Sequence, residues 1–301
     1  MSTTPEPRVG QRGGVIHDIG YAPYTGPRLD QGAIGRSLFT TGLLHAYGFG
    51  RSGKAKALPV TLLVLMVLPA AIIVAIMVAI GLDEGFIDYG SYPTTLMLLI
   101  VIFVAAQAPV LFSRDLRSGA IVLYLARPLS AAGYAIVRWS SLFVAILAFI
   151  TVPLLVLYIG ALAAEADPGE QTLDLLAALA GVVILAAVLA TVAGLVSAYT
   201  TRRGLAVGAT IVALLLSTGV ASAIQGIAQQ ADRDRIGQYA GLISPFTLTD
   251  GIQVALFDGN GTYPTPPEGA VMALVYVAVA LLVVLGGIAL IVQRYRRQAS
   301  R

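Results

Sequence analysis

Six stretches of at least 20 residues pass without a charged side chain, and this constrains the fold more than any other feature of the chain. They fall at 58–82, 93–112, 139–162, 175–199, 204–225 and 270–293. A hydrocarbon core of about 30 Å is crossed by about 20 residues of helix, so each stretch is long enough to span a bilayer. Long continuous apolar runs, without strand-like alternation, read as helices whose backbone groups are satisfied internally. The fifth is the weakest, being rich in Gly, Ser and Thr and running into a Gln-containing stretch at 225–230. The chain is 57% apolar and only 12% charged. Soluble domains carry about 25% charged residues, and a soluble fold of this composition would expose large apolar patches. The expected fold is therefore all-α, with six transmembrane helices.

Charge placement orients them. Numbering the stretches in order, 17 Lys and Arg residues fall before the first stretch, after the second, after the fourth and after the sixth, against 2 on the other side, Arg233 and Arg235. Acidic residues divide the opposite way, 4 against 12. Lys and Arg are retained in the cytoplasm, which predicts both termini inside. The expected organisation is a cytoplasmic tail and amphipathic helix over 1–57, a six-helix domain over 58–293 and a short cytoplasmic tail over 294–301. Within the domain lie a cytoplasmic loop at 113–138 and a long external loop at 226–269. A secretory signal is not expected, because the first long apolar run begins only near Leu58.

Several chemistries lack their residues. There is no cysteine, and the two histidines, His17 and His45, both precede the first span. Thiol catalysis and Cys-based metal sites are excluded, and little remains for a His-based one. No charged residue falls inside the six stretches, whereas ion-coupled carriers and voltage sensors need such groups at mid-membrane. Ser140, Ser141 and Ser197 have no neighbouring His or Lys to activate them and read as packing hydroxyls. The chain is not expected to be an enzyme, with no catalytic, cofactor-binding or metal-binding residues of its own. Gly204 and Gly208 form a small-xxx-small pair, read as packing within one chain rather than a subunit interface.

The loops are more specific. Residues 1–14 are Pro-, Gly- and Arg-rich and read as disordered. Residues 33–49 place Ile34, Leu38, Phe39, Leu43, Leu44 and Tyr47 on one broad helical face beside Arg36, His45 and Arg51, which suits a cytoplasmic lipid interface. The loop after the second span supports about three helical turns from Arg114 to Ala126, stopped by Pro128. It combines fixed charge at Arg114, Asp115 and Arg117 with the apolar run 121–125. Such a helix can lie in a partner's groove or pack beneath the bundle. On the other side, 242–257 is too apolar for a surface loop and too short to span, and reads as interfacial or re-entrant. The match of Asn260-Gly-Thr262 to an acceptor sequon carries no weight.

Three stretches carry a family resemblance. They are His17-Asp-Ile-Gly-Tyr21 with Tyr24-Thr-Gly-Pro-Arg28, Phe112-Ser-Arg-Asp-Leu-Arg-Ser-Gly-Ala120 with Leu125-Ala-Arg-Pro-Leu-Ser130, and Ser244-Pro-Phe-Thr247 with Asp250-Gly251. In this order, with six spans, the chain resembles permease subunits of ABC-2-type transporters, particularly bacterial, actinobacterial-like ones whose ATPase is encoded separately. The resemblance implies a type V exporter-like architecture in the bacterial cytoplasmic membrane. The 33–49 segment would be the family's connecting helix, and 242–257 its external hairpin. It implies a coupling helix over 114–127, contacting the ATPase through Arg114, Asp115, Leu116, Arg117, Tyr124 and Arg127. Implied partners are two copies of an ABC ATPase, which bind the ATP and Mg, and a second permease copy in a homo- or heterodimer. The chain has no Gly-x-x-x-x-Gly-Lys-Ser/Thr loop of its own. Lipid surrounds it, and no nucleic-acid partner is expected. Spans without charge suit export of an apolar or amphipathic substrate. The rival expectations are a membrane anchor or assembly factor for an ATPase, and an ATP-independent channel.

Overall fold

The computed structural model describes residues 26, 30–80, 88–117, 119, 129–200, 202–257, 259 and 261–299. The tail at 1–14, most of the 17–28 motif, the apolar run 121–125, Tyr124 and Arg127 lie outside the described residues. The elements are α1 (Gln31–Ala46), α2 (Lys54–Ile80), α3 (Tyr92–Thr95), α4 (Met97–Leu111), α5 (Ser113–Arg117) and α6 (Ala131–Ala163). They continue with α7 (Pro168–Tyr199), α8 (Arg203–Gln230), α9 (Asp234–Ala240), α10 (Pro245–Phe257) and α11 (Gly269–Ala299). Among the described residues there is no strand. Six helical segments are long and apolar enough to cross a membrane, as expected: α2, Met97–Asp115, α6, α7, α8 and Gly269–Gln298.

The helices run past the expected ends because caps, rather than the nearest charge, decide where they stop. Ser130 accepts a hydrogen bond from the Gly133 amide at 3.0 Å and starts α6 two turns ahead of Trp139. Its 33 residues measure about 50 Å, longer than the hydrocarbon core. Arg138 therefore lies inside a helix that crosses the bundle, correcting the expectation that it closes a loop. Asp167 caps α7 in the same way, with Pro168 at the first helical position. The fifth span continues through the Gln-containing stretch to Gln230, with Gln225 buried.

The layering follows from burial. In the second span, Met97–Asp115, the most apolar window is 72% buried, against 17% in α2 and 22% in each of α8 and α11. The second span is thus the centre of the bundle, with α6 and α7 beside it and α2, α8 and α11 outside. Phe103 of α4 stacks on Phe149 of α6 with ring centroids 4.2 Å apart. Close approach is set by single glycines: a methyl at Gly160 of α6 would run into Val74 of α2, and one at Gly287 of α11 into Thr191 of α7. Gly204 and Gly208 behave otherwise. Among the described residues a methyl at either would meet nothing within 4 Å, so the pair sets no helix contact there, unlike the expected packing within one chain.

Of segment 33–49, residues up to Ala46 lie in α1 and 47–49 form the turn after it; α1 is capped by Asp30 on the Ala33 amide at 2.8 Å and packs against α6. Tyr47 donates to the Ala145 carbonyl at 2.8 Å, and Ser141 to that of Phe39 at 3.2 Å. A Cβ at Gly42 would lie 2.7 Å from Ser141 Oγ. Leu44 and Phe49 remain exposed on the outer side. Gly48 turns the chain into α2 with φ +79°, and a side chain there would meet the Ala55 carbonyl at 2.5 Å.

At the opposite end, α9 and α10 meet at 119°, so the expected re-entrant segment is a bent hairpin. Pro245 through Ile252 are all buried among α7, α8 and α11. Buried Asp250 accepts from the amides of Thr262 at 3.1 Å and Tyr263 at 3.3 Å, which secures the returning part of the loop. Tyr276 of α11 donates to the Gln238 carbonyl at 2.5 Å, and Ser244 shares a 2.6 Å hydrogen bond with Thr218 of α8.

Candidate functional site

The chain leaves α4 at Phe112 and enters the short α5, where the backbone turns Asp115 back toward the bundle. Asp115 is only 8% exposed. Its carboxylate accepts from the Tyr134 hydroxyl at 2.6 Å and from the Arg138 guanidinium, which forms an ion pair with it. Tyr134 and Arg138 stand one turn apart on α6, and Arg138 Nε also donates to the Tyr134 oxygen at 3.2 Å. The guanidinium lies 5.3 Å from the Tyr134 ring centroid. Arg138 is 5% exposed, so both charges of the pair are withdrawn from water.

Neighbouring contacts bind this pair to two more helices. Tyr295 of α11 meets Tyr134 edge to face at 5.2 Å and donates to the Phe112 carbonyl at 3.0 Å. Ser113 donates to the Ser197 carbonyl of α7 at 2.7 Å. Four crossing helices, α4, α6, α7 and α11, therefore converge on five buried residues: Ser113, Asp115, Tyr134, Arg138 and Tyr295. Tyr295→Phe removes the bond to Phe112 while keeping the ring contact. It is expected to lower stability by about 1 kcal/mol in equilibrium unfolding in mixed micelles, leaving the chain monodisperse.

A cationic collar surrounds the node. His45 of α1 is held below its ordinary value first by burial, then by Arg114, Arg138 and Arg51, with Asp115 opposing. Arg51 is lowered by burial and by Arg203 and Arg114. Arg114 is exposed.

Of the expected partner contacts, Arg114 alone has a described, outward-exposed side chain. Asp115 is spent on the interior, so its acid contributes an anchor where an exposed contact was expected. Leu116 and Arg117 belong to α5, but their side chains, like Tyr124 and Arg127 entirely, lie outside the described residues. Sequence reasoning missed Tyr134, Arg138 and Tyr295. The available signal was Tyr134-x-x-x-Arg138, a one-turn spacing that aims a hydroxyl and a cation at one point. Among the described residues no group of three or more His, Asp or Glu is placed to hold a metal ion. No family model matches this chain, and no curated protein matches it either.

Proposed function

We propose that the chain is the membrane-spanning subunit of an ATP-driven transporter of the ABC-2 type, energised by a separate ATPase docked on the 113–138 loop. The observation that carries this reading is the buried Asp115–Arg138–Tyr134 node. The residues on either side of 118–128 are fixed to each other, and through Phe112, Ser113 and Tyr295 to four crossing helices. A push applied to that loop therefore reaches the bundle through a stiff joint, as a coupling element requires. Asp115 acts in this reading as a positioning residue, and the exposed Arg114 beside it as a docking contact.

The Lys and Arg excess favours the node end in the cytoplasm, hence both termini inside a bacterial cytoplasmic membrane. Gly204, Gly208 and Gly219 on α8 face open space, which supports a second permease copy on that side. The cargo fitting a bundle whose mid-membrane surface is apolar is itself apolar or amphipathic, moved outward.

The test starts from native membranes. Tagged chain extracted in mild detergent is expected to bring down a soluble ATPase bearing a phosphate loop. Arg114→Glu with Arg117→Glu is then expected to abolish stimulated hydrolysis while insertion stays intact. A chain that purifies alone even after crosslinking, or wild-type coupling in the double variant, removes the reading.

A further inference from the structure

Two carboxylates are buried among the described residues, and only one of them has a cation. Asp115 has Arg138. Asp250, at the opposite end in α10, is 4% exposed, and no guanidinium or ammonium among the described residues pairs with it. The sequence places only Arg233 and Arg235 on that side, and neither reaches it. Both carboxylate oxygens accept amide protons, Oδ1 from Thr262 at 3.1 Å and Oδ2 from Tyr263 at 3.3 Å, and such bonds favour the ionised form. Asp88 is near enough to add to the negative potential. A charge withdrawn from water is costly without an opposite one beside it, so a cation completes this place.

The carboxylate lines a small cavity with about 10 Å³ of free volume, room for one water-sized body. Around it stand Thr249 and Gln253 of α10, Thr94 of α3, Gly181 of α7 and Gly90 on the turn before α3. Thr249 is 3% exposed and gives its hydroxyl proton to the Pro245 carbonyl at 2.8 Å, which leaves its oxygen lone pairs available. Gly181 admits the Gln253 amide, because a Cβ there would stand 2.4 Å from the amide carbon. Gly90 is held in place by Asp88, whose Oδ1 accepts the Gly90 and Ser91 amides at 2.9 and 3.2 Å. The wall thus offers one carboxylate and the neutral side-chain oxygens of Thr94, Thr249 and Gln253.

We propose that this cavity binds a single alkali-metal cation on the Asp250 carboxylate, with the Thr249 hydroxyl and the Gln253 amide oxygen as neutral ligands. One carboxylate balances one positive charge, and hard oxygen ligands select against transition metals. Calcium takes about six to eight oxygens and magnesium keeps several waters, for which this cavity has no room. The ion fastens the hairpin to α7 and to the turn before α3, the other two walls of the cavity. The assignment stands apart from the transporter reading, since it requires neither nucleotide nor a second subunit.

The test is thermal unfolding of full-length chain in maltoside micelles at constant ionic strength, as sodium or potassium chloride replaces N-methylglucamine chloride. At about tenfold over its Kd, the better-fitting of the two ions is expected to raise the unfolding midpoint by about 2–4 °C, and the effect is expected to saturate. Equilibrium dialysis against radioactive sodium or rubidium is expected to count about one ion per chain. Asp250→Asn keeps an acceptor for the Thr262 amide and is expected to weaken binding at least about tenfold. Gln253→Met, at a half-buried position, is expected to weaken it about threefold, and it carries the test where the asparagine variant does not fold. A midpoint that follows pH and ignores both alkali ions overturns the site and leaves a proton on Asp250 in its place. Undiminished binding in Asp250→Asn, or in Gln253→Met where the first does not fold, overturns it as well.

Discussion

Arg138→Met is expected to destabilise the chain by about 3–5 kcal/mol, because it strands the Asp115 carboxylate in a place water does not reach. The two side chains are 5% and 12% exposed, so solvent offers little rescue to either. Asp115→Asn alone is expected to cost a comparable amount by leaving the guanidinium unpaired. The double variant Asp115→Asn/Arg138→Met is expected to recover most of the loss, since a buried pair replaced by uncharged groups of similar size is often close to neutral. Equilibrium unfolding in mixed micelles across the four chains gives the coupling directly. A coupling near zero would mean that Asp115 is solvated and free to serve as an exposed partner contact. A large one leaves the double variant folded, so that under the transporter proposal any loss of ATPase stimulation in it would report on stiffness of the joint rather than on stability.

Six helices were legible because hydropathy at this length leaves no competing fold, and 242–257 was legible as an interfacial or re-entrant segment because its run is too apolar for water and too short to span, although its bend against α9 was not. Helix ends were not. Reading each span from charge to charge stopped the third at Trp139, whereas the Ser130 cap sets the true start and carries Arg138 into the bundle. The node was hidden for a related reason. Asp115 and Arg138 are 23 residues apart, and their burial depends on Tyr295, which lies 183 residues beyond its acceptor Phe112. No local pattern encodes a contact of that range. Glycine spacing misled in the opposite direction: the conspicuous pair Gly204 and Gly208 faces open space, while isolated Gly160 and Gly287 set the helix contacts.

Gly160→Ala is expected to cost about 1–3 kcal/mol, an overpacking effect at the α2–α6 contact. The added methyl meets both Val74 methyls and would stand 2.8 Å from Val74 Cβ, so a change of Val74 rotamer cannot clear it. Because apolar burial supplies no drive for helix association in lipid, the fit of these two surfaces holds α2 to the bundle together with its contacts to α4 and the hydrogen bond from Tyr92 to the Met66 carbonyl. Val74→Ala introduced alongside is expected to return most of the stability but not all, since the Cβ conflict persists. Gly208→Ala supplies the contrast, because its methyl meets nothing within 4 Å. In monomeric micelles that change is expected to be neutral or to stabilise by about 0.5–1 kcal/mol, through the lower backbone entropy cost of alanine in a helix. Unfolding measured under one set of conditions for the three variants distinguishes packing from propensity. Equal losses at Gly160 and Gly208 would show that helix propensity or detergent, and not the Val74 contact, governs the response.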